Sequence, residues 1–507
     1  MTSTTARRAA AVAAGLPLLV VLAIANAAGY RFGVADQAFY LPSILHAMDP
    51  TLYPRDAALL QAQGGLMVSD ELTAFVLAHA PLSIETLFLA GHVTSLALLM
   101  AAAWSIGTRL GVHPWTAAAC GLAMTLRHRI TETGANSFEG YYHPRGLAFA
   151  CGAAAAAACA SNRLAPAWAL VALATLLHPT TGTWWAIWLA GATIVMRPQW
   201  RRQLVGVALV AGLVALAALV LTPLRTRLGV MDAAWILPFA SKDYVFPNAW
   251  PVGAWLANLV LPAVVAVVWL LRRRQGLAAP WEAGMVAGVA LLTVVFLVSV
   301  PFIAAHRALA VQLQTSRVFW VIDLFAVLSL TWVLAEARGT RAATAVAGAS
   351  LLWRRPAILA AVLLAASVAR GMFSMTVEHP ERRFVQASLE DTEWVRVGRW
   401  LAARTPVGAH VLADPDHAWK FGHSVRIIAR RDVLVEGVKD AALALYDRGV
   451  ATRVQARLEA VGDFAALDAS SARALAQRFD LDVLVIDRDV DLEMLHRDGR
   501  FRVYRLK

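Results

Sequence analysis

The sequence predicts an α-helical polytopic membrane protein with about eleven transmembrane helices and a small C-terminal α/β domain. Three observations support this fold class. Hydrophobic residues make up 59% of the 507 residues, and the mean hydropathy is +0.57, which excludes an ordinary soluble composition. Apolar blocks recur between residues 9 and 376, and many approach the roughly 20 residues that cross a bilayer. After residue 376 the apolar runs become short and charges become frequent.

The apolar blocks give the membrane helices in chain order. The predicted spans are 9–29, 84–106, 112–126, 145–160, 163–178, 180–196, 203–222, 250–271, 281–303, 317–335 and 356–376. A weaker apolar run at 342–352 is a candidate half-helix, and a full span there would move the C-terminus to the other side. The first block lacks a small-residue cleavage site, so we expect a signal anchor.

Charge bias orients these spans. With the N-terminus inside, the inner loops are rich in arginine and contain one acid, Glu336, whereas the outer loops mix both signs. The positive-inside rule supports this orientation, and an odd number of spans then gives a multi-pass protein with an extracytoplasmic C-terminal domain. The high alanine and arginine content suggests a high-GC bacterium, so we expect the bacterial inner membrane. The same bias explains the net charge of +12, so we predict no nucleic-acid partner.

The C-terminal segment 377–507 alternates strand and helix patterns, as a small α/β domain does. Predicted strands are 410–414, 432–437, 482–489 and 501–506, and predicted helices are 387–403, 438–460 and 469–478. No glycine-rich nucleotide fingerprint or P-loop is present in this segment, which argues against nucleotide chemistry. The three cysteines all lie in apolar blocks, where they indicate buried small hydrophobes rather than a disulfide or metal site.

Polar residues interrupt the pattern in the predicted outer loops, which are 30–83, 127–144, 223–249 and 304–316. In the first loop, apolar residues at helical spacing predict an amphipathic helix over 38–49 that lies on the membrane. Asp36 precedes this helix and fits either an N-cap or a catalytic carboxylate. Asp49 and Asp56 stand beside prolines, which is typical of turns. The segment 127–146 fits either a functional loop or a solvated hairpin with aromatic anchors.

Several cations and polar groups fall at the same predicted depth. The candidates for binding a phosphate-bearing substrate are Arg317, Arg307, Arg145, Glu139 and His178. His178 also fits a helix-end residue. Asp323 lies inside a predicted span, where an ionisable group indicates function or an ion pair with an arginine.

These residue types suit one chemistry. Arginine holds phosphate through planar, forked hydrogen bonds, and a lipid-linked sugar phosphate would place its phosphate at the bilayer surface. A carboxylate such as Asp36 would take the proton of an acceptor hydroxyl. The phosphate leaves without a second carboxylic acid, since cations stabilise its charge.

The multi-span core, the acid of the first outer loop (Asp36 in VADQAFY) and the outer α/β domain resemble the GT-C superfamily of membrane glycosyltransferases. The resemblance implies inverting hexosyl or pentosyl transfer from a polyprenyl-phosphate-linked donor to a glycan, lipid or protein acceptor. It makes Asp36 the base and places the C-terminal domain over the site, with Asp414, His417 and Lys420 as acceptor-binding candidates. The family often pairs two acids where this chain has Asp36-Gln37, so no metal site is predicted and a divalent cofactor stays an open alternative.

Two other functions compete with this prediction. A transporter or flippase of envelope precursors would use Asp323 and His178 along a polar path. A non-catalytic envelope assembly protein would use the C-terminal domain to bind partners.

Overall fold

The computed structural model describes residues 3–337 and 356–507, and the fold below refers to these residues. The chain is mostly helical. The helices are α1 (Ser3–Asn26), α2 (Gln37–Met48), α3 (Ala57–Gly64), α4 (Ser69–His79), α5 (Ile84–Leu110), α6 (Pro114–Thr125), α7 (Pro144–Ala160), α8 (Leu164–Leu177), α9 (Pro179–Met196), α10 (Arg201–Leu221), α11 (Ala233–Ile236), α12 (Val252–Arg274), α13 (Pro280–Ala304), α14 (Ala308–Leu313), α15 (Val318–Glu336), α16 (Pro356–Phe373), α17 (Glu393–Arg404), α18 (His417–Lys420), α19 (Val425–Ile428), α20 (Gly437–Ala444), α21 (Arg448–Val461) and α22 (Ala469–Phe479). The strands are β1 (Tyr30–Arg31), β2 (Arg129–Ile130), β3 (Ala135–Asn136), β4 (Val385–Gln386), β5 (His410–Leu412), β6 (Asp432–Val433), β7 (Val483–Ile486), β8 (Met494–Asp498) and β9 (Phe501–Arg505).

A helix occupies each of the eleven predicted span positions, but not all of these helices are long. Among the described residues, six helical segments are long and apolar enough to cross a membrane: Ile84–Leu110, Pro198–Leu221, Val252–Arg274, Pro280–Ala304, Ala308–Glu336 and Pro356–Glu378. Several apolar helices therefore indicate a membrane protein, and the number eleven stays a prediction. The run at 342–352 lies outside the described residues.

Helix α15 forms the centre of the helical bundle, with 83% of its apolar window buried. The Trp320 ring at its start stacks on Phe149 of α7 at 3.9 Å between centroids, and Phe325 stacks on Trp188 of α9 at 4.9 Å. Ring stacking of this kind fixes neighbouring helices in rotation as well as distance. The residues that begin α7 and α15 are therefore held at one end of the bundle.

The C-terminal domain is built on a five-stranded sheet of order β6-β5-β7-β9-β8. Strand β5 is parallel to β6 and β7, and β9 is antiparallel to β7 and β8. The four predicted strands are confirmed, whereas β8 was not predicted. The single helix predicted over 438–460 is wrong, because α20 and α21 are separate helices. The break falls at Asp447, whose carboxylate caps α21 by accepting the Val450 N–H at 2.9 Å.

The chain leaves and re-enters the bundle at neighbouring points. Strand β1, just after α1, pairs in parallel with β4, just after α16. Asn26 of α1 donates its amide to the carbonyl and hydroxyl of Ser367 in α16, both at 3.0 Å. The loop that follows α1 is thereby placed directly beside the C-terminal domain.

The sequence predicted an amphipathic helix over 38–49, and the structure differs from this prediction in what covers the apolar face of α2. The helix forms, but Leu41 and Ile44 are buried and six of the first seven positions after Asp36 lie in the interior. It packs against α4 and α19 instead of lying on the membrane. The spacing showed that one face is apolar but not what covers that face. Exposed apolar side chains occur on α4 instead, where Leu72 and Phe75 are 47% and 60% exposed.

Candidate functional site

The carboxylate of Asp36 faces two cations that come from distant parts of the chain. Its Oδ1 accepts a hydrogen bond from Lys439 Nζ at 2.9 Å, and its Oδ2 lies 3.6 Å from Arg145 Nη2. Asp36 occupies the N-cap position of α2, yet its side chain makes no capping hydrogen bond. The preceding residue, Ala35, has φ 52°, a left-handed conformation that non-glycine residues adopt rarely. The capping interpretation is therefore wrong for this side chain.

The charges around Asp36 control its protonation. Burial alone would raise the pKa of the carboxyl group, but Lys439, Arg145 and His143 together hold it well below its usual value. Opposite charges within a few ångströms favour the ionised form. Asp36 is thus a carboxylate throughout the physiological range of pH.

Arg145 is fixed by the start of α7. His143 caps that helix, because its Nδ1 accepts the Gly146 N–H at 2.9 Å. The Arg145 side chain is buried, and its guanidinium lies 5.8 Å from the centroid of the Trp320 ring. A cation over an indole face is attracted by the ring quadrupole. The guanidinium is thereby held between the aromatic core of the bundle and the carboxylate of Asp36.

Arg317 stands at the start of α15 and has unused hydrogen-bonding capacity. Its guanidinium lies 5.2 Å from the centroid of the Tyr244 ring. Its Nε is buried and has no hydrogen-bond partner among the described residues. A buried donor without an acceptor is costly in a folded protein, so an anion at this point would be stabilised.

His178 is the single residue between α8 and α9, so it lies at a helix end, as one interpretation predicted. Its Nδ1 accepts the Thr181 N–H at 3.3 Å and so caps α9. The residue also lines a cavity of about 220 Å³, which we call the apolar cavity. Its walls include Leu66, Met67, Leu224, Leu309, Leu313 and Arg227.

A second cavity of about 220 Å³, the polar cavity, lies between the first loop and the C-terminal domain. Its walls include Ala35, Ala38, Asp416, Trp419, Glu436 and Lys439. Lys439 is the residue that bonds Asp36, and Ala35 precedes Asp36 in the chain. The carboxylate of Asp36 therefore lies beside the polar cavity.

Two other predicted residues, Glu139 and Arg307, lie outside this cluster of contacts. Glu139 is bound within its own hairpin, to Arg127 at 2.9 Å and to the Asn136 amide at 2.9 Å. Arg307 exposes its side chain while its backbone pairs with Val230. Neither side chain makes a contact with Asp36 or Arg145 in the part of the chain that the structure describes.

Among the described residues, Asp323 pairs with a histidine and not with an arginine, the partner that one interpretation predicted. Its Oδ2 lies 2.9 Å from Nε2 of His128, a residue of the loop after α6. This bond raises the pKa of His128 to about 9, with the negative charge of Asp323 contributing further. A protonated His128 therefore neutralises Asp323 at the end of the bundle.

The predicted acceptor residues of the C-terminal domain largely bond to one another. Lys420 Nζ lies 2.6 Å from Asp414 Oδ2. His417 is fully buried, with Nδ1 at 2.7 Å from the Asp414 carbonyl and Nε2 at 3.1 Å from the Val425 nitrogen. The side chain of His417 is therefore an internal brace, and it cannot meet an acceptor from solvent.

Asp49 and Asp56, both predicted to be turn residues, have different surroundings in the fold. The turn prediction is confirmed for Asp49, whose carboxylate accepts the Thr51 N–H at 3.0 Å. It is also confirmed for Asp56, which lies in a turn, but this side chain is fully buried and bonds Arg426 Nε at 2.8 Å and Arg453. Arg426 in turn forms a forked pair with Asp440, at 2.7 and 3.0 Å. This set of residues, the buried ion network, joins the first loop to the helix that carries Lys439.

A divalent metal does not fit the surroundings of Asp36. Among the described residues, no group of three or more His, Cys, Asp or Glu side chains could hold a metal ion. The neighbours of Asp36 are instead the cations Lys439 and Arg145, which repel a divalent cation. We derive no catalytic step through a metal.

No protein-family model matches this sequence, and no curated protein is significantly similar to it. The fold and the apolar helices define a membrane protein with a docked α/β domain. Its activity has to be inferred from the chemistry of the site alone.

Asp70, at the start of α4, allows a test of the electrostatics in this region. Its side chain is buried and Oδ2 has no hydrogen-bond partner among the described residues. Burial, with the charge of Glu71, raises its pKa to about 7. Since the folded-state pKa exceeds the unfolded value near 4, the folded protein binds the proton more tightly, and wild-type stability falls as pH rises from about 4 to 7.

We therefore expect Asp70→Asn to raise the free energy of unfolding at pH 8 by roughly 2–4 kcal/mol and to change it little at pH 4. Thermal unfolding of the purified protein in detergent at the two pH values measures this difference. Glu71→Gln, next in the chain, removes the charge that contributes to the raised pKa of Asp70, so it should give a smaller gain of the same sign at pH 8. An equal effect of Asp70→Asn at both pH values would contradict the buried, protonated carboxyl group.

Proposed function

We propose that this protein is an inverting membrane glycosyltransferase of the GT-C type. It transfers a sugar from a polyprenyl-phosphate-linked donor to an extracytoplasmic acceptor. The observation that carries the proposal is the arrangement of Asp36, Arg145 and Arg317 near two cavities of opposite character. Lys439, bonded to Asp36, lines the polar cavity, and His178, close to Arg145 and Arg317, lines the apolar cavity.

The apolar cavity suits the lipid part of the donor. Leucine and methionine walls accept a hydrocarbon chain, and Arg227 adds a cation at the wall. Arg317 supplies the unused donor for the phosphate, and Arg145 supplies a second guanidinium. Guanidinium groups bind phosphate oxygens through charge-assisted hydrogen bonds.

The reaction needs one base and no acid. Asp36 takes the proton of the acceptor hydroxyl while that oxygen attacks the anomeric carbon. The bond between the anomeric carbon and the phosphate oxygen breaks, and its electron pair leaves with the phosphate. Arg317 and Arg145 stabilise the charge that develops there.

The ion pairs of Asp36 have a role in this reaction. In the free protein, Lys439 and Arg145 make Asp36 a weak base by lowering its pKa. A donor phosphate that draws Arg145 away removes one of these charges, so Asp36 becomes more basic when the donor is bound. Proton abstraction is thereby favoured in the loaded enzyme, and unproductive protonation is avoided in the empty one.

The location follows from the charge bias of the loops. In the sequence, Asp36 belongs to a loop of mixed sign, and the arginine-rich loops follow the opposite ends of the predicted spans. We place the site and the C-terminal domain on the extracytoplasmic side of a bacterial inner membrane. The acceptor is then a component of the cell envelope.

The test compares two arginines that lie ten positions apart. We expect Arg317→Gln to weaken binding of a polyprenyl monophosphate by about 10–100-fold, since a hydrogen bond to a charged group contributes roughly 1.5–3 kcal/mol. Arg307→Gln, which changes an exposed residue of the same type, should bind like the wild type. Binding is measured with purified protein in mixed micelles, with the uncharged polyprenol as the competing ligand.

The two ligands separate the phosphate from the lipid. Arg317→Gln should reduce binding of the monophosphate and leave polyprenol binding unchanged. Equal binding of the monophosphate by the Arg317 and Arg307 variants would remove the basis for a donor-phosphate site. A loss of both ligands in Arg317→Gln would instead indicate damage to the apolar cavity.

A further inference from the structure

The polar cavity has two features of a ligand site: an exposed tryptophan, Trp419, and a buried oxygen on Glu436 that is unpaired among the described residues. Neither residue is bonded to Asp36 in the described part of the chain. We propose that this cavity is the acceptor subsite and that it takes a neutral carbohydrate, with a sugar ring on Trp419 and a sugar hydroxyl bonded to Glu436. The inference rests on the proposed function, because it names the acceptor class of the same site.

The position of the cavity places a ligand beside the base. One wall is the segment 33–38, which contains Asp36, and the opposite wall is formed by residues 415–439 of the C-terminal domain. Lys439 lines the cavity, and its ammonium group bonds the Asp36 carboxylate at 2.9 Å. A hydroxyl of a molecule in the cavity can therefore approach Asp36 along the Lys439 side chain.

Glu436 provides an unsatisfied acceptor at this wall. The residue is 1% exposed, and its Oε1 receives the Ser424 hydroxyl and lies 3.4 Å from His417 Nε2. Its Oε2 is buried and has no hydrogen-bond partner among the described residues. Buried carboxylate oxygens are normally hydrogen-bonded. A ligand hydroxyl donating to Oε2 would complete the coordination of this group.

Trp419 provides an aromatic surface at the mouth of the same cavity. Its side chain is 81% exposed, although tryptophan is usually among the more buried residues. The backbone of Trp419 is fixed by a hydrogen bond from its N–H to the Asp416 carbonyl at 2.9 Å. An exposed indole presents a flat apolar face, which matches the C–H face of a sugar ring.

The charges around the cavity favour a neutral ligand over an anion. Arg382 lies 3.4 Å from Glu381, and Lys439 is paired with Asp36. Arg31 and Asp416 add one charge of each sign to the walls. Because the cations are balanced by acids, a simple anion gains little Coulomb energy here, whereas hydroxyl groups find both donors and acceptors.

The test uses soluble methyl glycosides as probes for the unidentified acceptor. The full-length protein is purified in a detergent without a sugar headgroup, and saturation-transfer NMR is recorded with methyl glucoside, galactoside, mannoside and arabinofuranoside. We expect saturation transfer to at least one glycoside, with a fall of fivefold or more in Trp419→Ala and in Glu436→Gln. Trp115→Ala, which removes another tryptophan that is 50% exposed, should keep the wild-type signal.

Each outcome decides the inference. Equal saturation-transfer signals from Trp419→Ala and Trp115→Ala would overturn the carbohydrate subsite. The absence of a saturation-transfer signal for every glycoside would overturn it as well. Binding of inorganic phosphate in place of every glycoside would overturn it in favour of an anion site. Glycoside binding together with unchanged glycan transfer in Asp36→Asn would leave the subsite standing and reject the transferase. Loss of transfer in Asp36→Asn without any glycoside binding would reject the subsite alone.

Discussion

Asp36→Asn is expected to lower sugar transfer by about 10²–10⁴-fold, the range that a general base contributes. Asparagine keeps the size of the side chain but cannot accept the proton of the acceptor hydroxyl. The measurement is a mass-spectrometric comparison of lipid-linked sugars and envelope glycans in a deletion strain. Strains complemented with the variant should accumulate a polyprenyl-linked sugar and lose one glycan modification.

Asp49→Asn is the matched control for this experiment. Asp49 lies thirteen positions later in the same loop, is exposed, and accepts hydrogen bonds from Thr51. Its variant should support the wild-type glycan pattern at equal protein abundance. If the Asp36 and Asp49 variants give the same glycans and lipid carriers, Asp36 is not a catalytic base, and the transporter and assembly functions gain ground.

Arg426→Met should destabilise the protein by about 3–5 kcal/mol, because it removes the cation from the buried ion network. Arg426 is 1% exposed and bonds Asp56 at 2.8 Å and Asp440 at 2.7 Å, with Glu436 at 3.6 Å. Without the guanidinium, these carboxylates face one another in a region closed to water. Thermal unfolding in detergent and limited proteolysis of the C-terminal domain measure the loss.

Arg396→Met is the control, since Arg396 also forms a forked pair, with Asp498 at 2.9 and 2.7 Å, but at the surface. Surface pairs contribute about 0–1 kcal/mol, so this variant should remain near the wild type. In Arg426→Met the unpaired acids have raised pKa values, so their destabilising effect should shrink as pH falls toward 4. A similar loss in both arginine variants, or no pH dependence, would contradict a buried network.

The network also positions Lys439, which neighbours Asp440 in α20. If Arg426→Met folds at low temperature, its C-terminal domain should hold Lys439 less firmly against Asp36. The expected result is a rise in the pKa that governs kcat, because Lys439 no longer holds Asp36 ionised. The polyprenyl-phosphate affinity should be unchanged, because Arg317 and the apolar cavity lie elsewhere. A surface substitution that only lowers stability would not change the pH dependence of kcat separately from the polyprenyl-phosphate affinity.

The helical architecture could be predicted from the sequence because each helix is specified locally. Apolar blocks placed a helix at every predicted span, and runs of β-branched residues placed strands β5, β6, β7 and β9. The burial of α2 could not be predicted in this way. Its apolar spacing is the same whether lipid or protein covers the face, and the covering elements are α4 and α19.

The candidate site could be predicted only in part for a related reason. Arg145 and Arg317 were found because they are cations at the predicted outer ends of apolar blocks, the depth at which a donor phosphate would lie. Lys439 was missed, since it lies in an ordinary helical segment, 403 residues from its partner Asp36. The turn at Asp56 was predicted, but its ion pair was missed because its partner Arg426 is 370 residues away.

This separation along the chain sets an order of events during biosynthesis. The loop that holds Asp36 and Asp56 leaves the ribosome long before the residues that neutralise it. At about 5–20 residues per second, the 370 residues between Asp56 and Arg426 take roughly 20–75 s to synthesise. During that interval we expect the acids of the loop to be hydrated. The site forms last, when the C-terminal domain packs against the loop. A nascent chain stalled after α16 would therefore carry Asp36 and Asp56 without Lys439 and Arg426, the partners that the C-terminal domain supplies.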